Sequence, residues 1–462
     1  MFKFSKLPQS HPLFFLKNTN QSLELFTTDV NLYRKRIQHY RTTCNEKVEP
    51  TSSALSVVLY HPDPYQFCVR LFALSLESAD IYFPSNGQVQ SISSFVSNVD
   101  VFSGQIEHEL TLQSLESNEV TECYDEAITT LSNVIKWPDK GNLYFSTSGS
   151  TGQAKLVHKT WQQINLELLE LQNSFNITSE LKIVSTVSHQ HIYGLLFRLL
   201  WPLSVGSLIS DTFEYPEHVN AALETGQKVT LISSPAFLKR LASDNVLIAE
   251  SAKLSHVFSS GGMLVDEVAV LLRQQLNLSV IQVYGSTETG GIAYRQVDSL
   301  PASQWQTFSG ISLDIEEESQ RLILQSPWVR ESPLLLDDIG ELNSSSQFTL
   351  KGRADRTVKL EEKRINLTTM ESVANDHPWI KESRILLKQG KRDLLFAVIS
   401  LTEQGLGKHN ELSRVEFTRV IRNHLLRKFE LVCLPKKWRF LNELPYNSQG
   451  KLVQRELEKL FE

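Results

Sequence analysis

The stretch from Val229 to Tyr284 constrains the fold most, because its apolar residues come as short runs separated by amphipathic ones. Val229-Thr-Leu-Ile232, Leu254 to Phe258 and Val280 to Tyr284 each read as a buried strand. Between them, Pro235 opens a helix with Phe237, Leu238 and Leu241 on one side. A second helix, Val265 to Leu276, follows a tight Gly261-Gly262 turn. Strand, helix, strand at this spacing predicts βαβ units and a parallel, doubly wound sheet. Such sheets take ligands beyond the carboxyl ends of their strands. The loops after Phe258 and Tyr284 are therefore the first candidate site loops.

Elsewhere the pattern is α/β as well. Ser56 to Tyr60 is an apolar run followed by a helix-compatible stretch from Tyr65 to Leu76. Ile192 to Ile209 is the most membrane-like segment, but Arg198, Pro202 and Gly206 interrupt it. The expectation is a buried amphipathic helix, a turn and a strand rather than a membrane span. The character changes after about Ile339. Phe348-Thr-Leu350 is a short strand, Lys351 to Arg364 is dense in charge, and Asp393 to Leu401 is a strand. Ser413-Arg-Val-Glu416 is a capping-box pattern leading into Val420, Ile421, Leu425 and Phe429 at helical spacing. The expected organisation is a large N-terminal domain, 1–353, with doubly wound mixed sheets, and a small α+β C-terminal domain, 354–462.

Composition excludes more than it assigns. A chain of 462 residues suits two or three domains, and a net charge of −6 makes a poor general ligand for nucleic acid or anionic membrane. Cys44, Cys68, Cys123 and Cys433 lie far apart with no CxxC pair, so neither a zinc knuckle nor a redox pair is signalled. Reduced, buried thiols and a cytoplasmic location are expected, since the first residues lack the apolar core of a signal peptide.

The chemistry concentrates in four segments. Tyr144-Phe-Ser-Thr-Ser-Gly-Ser-Thr-Gly-Gln-Ala-Lys155 empties an apolar strand into a loop of hydroxyl and glycine residues, with a lysine after it. Exposed backbone N–H groups and hydroxyl donors suit a polyphosphate, although G-x-x-G-x-x-K is not the spacing of the nucleoside triphosphatases. Val283-Tyr-Gly-Ser-Thr-Glu288 sets a hydroxyl and a carboxylate just beyond a strand. Leu336-Asp-Asp-Ile-Gly-Glu341 precedes the basic run from Leu350 to Lys359. Leu444-Pro-Tyr-Asn-Ser-Gln-Gly-Lys451 puts a lysine after a glycine turn.

In order and spacing these segments resemble the adenylate-forming superfamily: acyl- and aryl-CoA synthetases, luciferases and peptide-synthetase adenylation domains. The resemblance implies a mobile C-terminal domain, ATP and Mg²⁺ as cofactors, and chemistry in two halves. A carboxylate first attacks the α-phosphate of ATP, giving an acyl- or aryl-adenylate and pyrophosphate. A phosphopantetheine thiol then displaces AMP. It further implies that Thr147, Ser148, Gly149, Ser150, Thr151, Gly152 and Lys155 form the phosphate loop. By the same resemblance Gly261 and Gly262 border the adenine, Tyr284 stacks on or near it, Thr287 reaches the α-phosphate and Glu288 holds Mg²⁺. Asp338 accepts the ribose hydroxyls, Arg353 supports the ribose, Asp355 lies at the hinge, and Lys451 bridges carboxylate and α-phosphate. His191 matches a position beside the acyl pocket. Two anions must meet in such a reaction, so a metal, backbone donors and a lysine are the groups its electrostatics require.

The chain also departs from the family pattern. Ala154 stands in place of a proline, Leu336 and Asp337 in place of Thr-Gly, and Tyr446 and Gln454 in place of basic residues. Glu362 occupies the place of a glycine on the loop that approaches the thiol arm. A carboxylate there disfavours free CoA with its several phosphates, so the expected acceptor is an acyl carrier protein loaded with an aryl or fatty acid. Free CoA is the competing acceptor. A nucleotide-binding module without turnover is the competing class, and retention of both Glu288 and Lys451 argues against it.

Overall fold

The computed structural model describes residues 6–17, 19–43, 54–84, 92, 95, 99–105, 114–115, 135–148, 154–224, 226–243, 251–360, 363–388, 393–446 and 452–462. Their contacts divide the chain into two compact units, one of residues 1–311 with 326–332 and one of 312–325 with 333–462. This division falls earlier than a boundary at 353 and assigns the strands flanking Asp338 to the second unit. No helix among the described residues is long and apolar enough to cross a membrane.

The first unit holds two sheets. The smaller is ordered Val101–Gly104, Ser56–Tyr60, Asp80–Phe83, Asn142–Ser148, Ala154–Thr160. Its strands are parallel except for the last pair, an antiparallel hairpin in register from Asn142↔Thr160 to Ser148↔Ala154. Asp63 caps the helix Pro64–Leu76 by accepting from the Gln66 N–H, with Pro64 at the first helical position, where its missing donor costs nothing.

The larger sheet contains the expected βαβ units. Val280–Ser286, Leu254–Ser259, Val229–Ser233, Lys182–Ser185, Leu208–Thr212 and Pro12–Leu16 run side by side and parallel. Gly290–Gln296 and Trp305–Thr307 continue it antiparallel beyond Val280–Ser286. Val229, Leu231, Val257 and Val280 are fully buried against Val219, Leu223, Leu238 and Leu272 of the helices Pro216–Glu224, Pro235–Ser243 and Asp266–Leu276. Each such side chain contributes about 1.5–3 kcal/mol on burial. That is why the apolar runs are continuous rather than alternating.

The segment after Ile192 differs from its expectation. It is helical to Val205, with π-type winding over Leu195–Leu200, then turns at Gly206 (φ +82°) into the strand Leu208–Thr212. It is not amphipathic: every residue from Gly194 to Val205 is buried. Arg198, read as an interruption, is 1 % exposed and donates to His189 Nδ1 at 3.2 Å.

In the second unit Ser312–Ile315, Arg321–Gln325, Leu334–Leu342 and Gln347–Arg353 form an antiparallel ladder. Farther along, Ile380–Lys388, Leu394–Leu401 and Lys437–Leu441 form a separate sheet. Ile385, Ala397 and Ile399 pack with Met370, Phe417, Ile421 and Leu425 of two helices, Leu367–Asn375 and Arg414–Leu425. Leu386, Phe396 and Val398 alternate to the other face, against Leu457 and Phe461. The expected capping box is formed, with Ser413 and Glu416 each accepting the other's backbone N–H. Phe429 lies beyond the helix, which ends at Leu425.

Candidate active site

At the carboxyl edge of the large parallel sheet, four neighbouring strands end together. Val257, Phe258 and Ser259 lie in register with Val280, Ile281 and Gln282, so the turn at Gly261-Gly262 and the segment from Tyr284 onward leave the sheet side by side. Ser260 ties the two by donating to the Val283 carbonyl at 2.8 Å. Next along the edge, Thr186 and Ser233 share a hydroxyl contact at 2.9 Å, and the Tyr193 hydroxyl donates to the Ser233 carbonyl at 3.1 Å. His191 sits here as the cap of a short helix, half-buried, with extended backbone. Gly261 needs its φ of +83°, whereas a Cβ on Gly262 would meet only Pro235 Cγ at 3.7 Å.

Thr287 and Glu288 occupy the tip of a hairpin between Val280–Ser286 and Gly290–Gln296. Ser286 and Thr289 close the turn reciprocally. The Ser286 N–H donates to Thr289 Oγ1 at 2.9 Å, the Thr289 N–H donates to Ser286 Oγ at 3.2 Å, and the Thr289 hydroxyl donates on to the Gly290 carbonyl. Gly285 is obligatory, since a Cβ there would lie 2.1 Å from the Gly290 carbonyl oxygen. Tyr284 is half-buried, with its ring 5.6 Å from that of Trp305.

Two charged residues that the sequence reading passed over lie beneath this hairpin. Lys159 is buried and donates to the carbonyls of Glu288 and Trp328, both at 2.9 Å. Glu167, also buried, accepts the Gly291 N–H at 2.7 Å. Burial lowers the Lys159 pKa, partly opposed by Glu167 and Glu288. Burial also raises the Glu167 carboxyl to about 7, partly opposed by Lys159 and by the Gly291 N–H. A sequence signal existed: Glu167 lies on the same helical face as Ile164, Leu168 and Leu171, where an acid is out of place unless paired.

Of the residues expected to form a phosphate loop, Thr147, Ser148 and Lys155 lie on the hairpin of the smaller sheet, with Thr147 opposite Lys155. Gly149, Ser150, Thr151 and Gly152 lie outside the described residues, as do Lys451 and Glu362. In the second unit Asp338 pairs in register with Arg353, and their side chains approach to 3.7 Å. Asp337, the departure beside it, takes Arg321 at 2.8 Å and Arg353 at 3.5 Å. Asp355 falls in a single turn, Ala354–Arg356. Arg356 just after it is anchored to buried Glu371 and to the Ile385 carbonyl. On either side of Lys451 in sequence, Tyr446 and Leu452 form an antiparallel bridge.

No group of three or more metal-ligating side chains occurs among the described residues. Glu288 is the one acid of its turn, beside the Thr287 hydroxyl. That donor set suits a hard cation arriving on a polyphosphate rather than a resident metal. His189 is held neutral at about 3 by burial and by neighbouring Arg198, with one ring nitrogen on the His61 carbonyl at 2.9 Å. It is thereby committed to the interior. Cys68 and Cys433 are buried free thiols.

Comparison with known proteins agrees with this fold. A 4-coumarate–CoA ligase of Halorhodospira halophila is 23% identical over 67% of this chain and 74% of its own. A D-alanine–D-alanyl carrier protein ligase of Staphylococcus haemolyticus is 22% identical over 76% of each chain. Among solved structures, ATP-bound MatB from Rhodopseudomonas palustris superposes with a TM-score of 0.79 at 14% identity, covering 100% of this chain and 99% of that one. The o-succinylbenzoate CoA synthetase of Bacillus subtilis, in complex with its acyl-adenylate, gives 0.76 at 16% identity over 99% and 97%. Residues 89–322 match the family described as AMP-binding enzyme, and the chain belongs to that family of adenylate-forming ligases.

Proposed function

We propose that this protein is an ATP-dependent ligase that converts an aryl or fatty acid to its adenylate and passes the acyl group to the phosphopantetheine thiol of an acyl carrier protein. The observation that carries the first half is the Thr287–Glu288 turn, held at the carboxyl edge of a parallel sheet beside Gly261-Gly262 and Tyr284. In this reading a substrate carboxylate oxygen attacks the α-phosphorus, the bond to the pyrophosphate oxygen breaks, and pyrophosphate leaves. The thiol sulfur then attacks the carbonyl carbon, and AMP departs with the electron pair of the cleaved acyl–phosphate bond.

Thr147 to Lys155 cradle the leaving phosphates, Thr287 donates to the α-phosphate, and Lys451 offsets the repulsion between the two reacting anions. Tyr284, Gly261 and Gly262 hold the adenine, Asp338 with Arg353 orients the ribose, and His191 borders the acid. Mg²⁺ held by Glu288 supplies charge neutralisation on the phosphates. One carboxylate accepting two hydroxyls suits a ribose diol, and the Arg353 guanidinium stands 3.7 Å from it. The acceptor follows from Glu362 in place of glycine, which penalises the polyanionic end of CoA more than a carrier-bound arm. The residues from 354 onward would move between the half-reactions about Asp355.

A panel of carboxylic acids assayed for pyrophosphate release, repeated with CoA and with carrier protein, tests the proposal. Acid-dependent release, and kcat/KM higher with carrier protein, is the expected result. No release with any acid would leave a nucleotide-binding module. A preference for CoA would make the protein a CoA ligase.

A further inference from the structure

Lys159 and Glu167 belong to different elements, the strand Ala154–Thr160 and the helix Trp161–Phe175, yet both reach the same hairpin. The Lys159 ammonium holds the Glu288 carbonyl from below, and its second bond, to Trp328, ties that grip to the segment 326–332. Glu167 takes the N–H of Gly291, the residue where the returning strand begins to pair with Gly285. The fit leaves no slack. A Cβ on Gly290 would stand 2.5 Å from Glu167 Oε2 and 2.8 Å from Trp328 Cδ1. Trp328 closes the far side by donating its ring N–H to the Gly291 carbonyl at 3.1 Å. Burying two charged side chains contributes little net stability against apolar replacements, so their location calls for another use.

We infer that Lys159 and Glu167 are a paired positioning device, which fixes the backbone of the Thr287–Gly291 hairpin so that Glu288 presents its carboxylate in one orientation to a nucleotide-bound cation. The inference rests on the proposed role of Glu288. Lys159 grips the carbonyl of the very residue whose side chain carries the charge, so loss of the grip frees φ and ψ at that position. Displacement of a catalytic group by about 1 Å can cost on the order of 10²-fold in rate. Glu167 serves as acceptor for Gly291 and as counter-charge to Lys159, and a glutamine keeps the first service.

The test compares Glu167→Gln, Lys159→Met and the double variant Lys159→Met/Glu167→Gln. The double variant strands no buried charge, so its Tm should fall by only a few degrees, the cost of the two carbonyls that Lys159 no longer reaches. Its kcat for pyrophosphate release should nevertheless fall on the order of 10²-fold. Calorimetric titration with ATP should show that Mg²⁺ no longer tightens binding, while affinity in EDTA is unchanged. Glu167→Gln alone keeps an acceptor for the Gly291 N–H and the Lys159 grip on Glu288, so its kcat should fall far less than that of the double variant. A folded double variant with normal kcat and normal Mg²⁺ dependence overturns the inference. So does a double variant that cannot be recovered folded, since the pair would then serve the fold. A wild type that releases no pyrophosphate but binds ATP more tightly with Mg²⁺ removes the proposed function and leaves the titration as the test of positioning.

Discussion

Glu288 is held by its backbone and free at its tip: its carbonyl accepts from the buried Lys159 ammonium, and its side chain stands half-buried at the tip of a turn. Glu288→Gln keeps the shape and the backbone grip and removes only the charge. We expect pyrophosphate release to fall on the order of 10²-fold with Tm unchanged, because one preorganised electrostatic partner is worth about that much. Near-normal release at saturating Mg²⁺ would deny the residue its role. Glu167 makes a prediction about stability instead. Its buried carboxyl is raised to about 7, above the ordinary range of an exposed glutamate, so the folded protein holds a proton that the unfolded chain releases. Stability from this group is complete at pH below the unfolded value and is lost as pH rises through about 7. Urea unfolding from pH 5 to pH 8 should therefore show the wild type losing stability relative to Glu167→Gln, with the two alike at pH 5. Parallel profiles would mean that the pair with Lys159 outweighs burial.

The hairpin and the glycine turn separate structural from functional glycines. Gly285→Ala drives a Cβ into the Gly290 carbonyl, and neither backbone can yield, so it should destabilise by about 1–3 kcal/mol and lower activity with it. Gly262→Ala would make only an ordinary contact with Pro235 Cγ at 3.7 Å, and its φ is not in the left-handed region. It should leave Tm unchanged and weaken ATP binding, if adenine packs there; unchanged affinity by calorimetry would remove Gly262 from the site. These elements were legible in the sequence because apolar runs, turn glycines and cap residues act locally, as at Val229–Ser233 and Ser413–Glu416. The Leu195–Leu200 segment was not, since one arginine in an apolar run reads as an exposed stripe unless its buried partner His189 is known. Lys159 escaped for a related reason. Its acceptors are backbone carbonyls at residues 288 and 328, and backbone groups leave no mark in a sequence pattern.

At the scale of the whole molecule, the proposed two-step reaction makes demands on Arg356 and Lys451. Arg356 follows the expected hinge at Asp355 by one residue and is bound to Glu371, which also accepts the Ile385 N–H at 2.7 Å and Arg384 at 3.3 Å. Tyr446 bonds Glu382 and bridges to Leu452 at the other end of the lysine segment. Tyr446 and Leu452, which precede and follow Lys451 in sequence, therefore belong with the strand Ile380–Lys388 through Glu382. A lysine needed only where carboxylate meets α-phosphate should then be dispensable when the adenylate is supplied ready-made. Lys451→Ala is expected to lower acid-dependent pyrophosphate release on the order of 10²-fold or more. Thioester formation from added acyl-adenylate and carrier protein should stay within a few-fold of wild type. The measurement is single-turnover kinetics of each half-reaction on the same preparation. Equal loss in both halves would mean that the lysine serves one undivided site, and the proposed movement about Asp355 would have no function to explain.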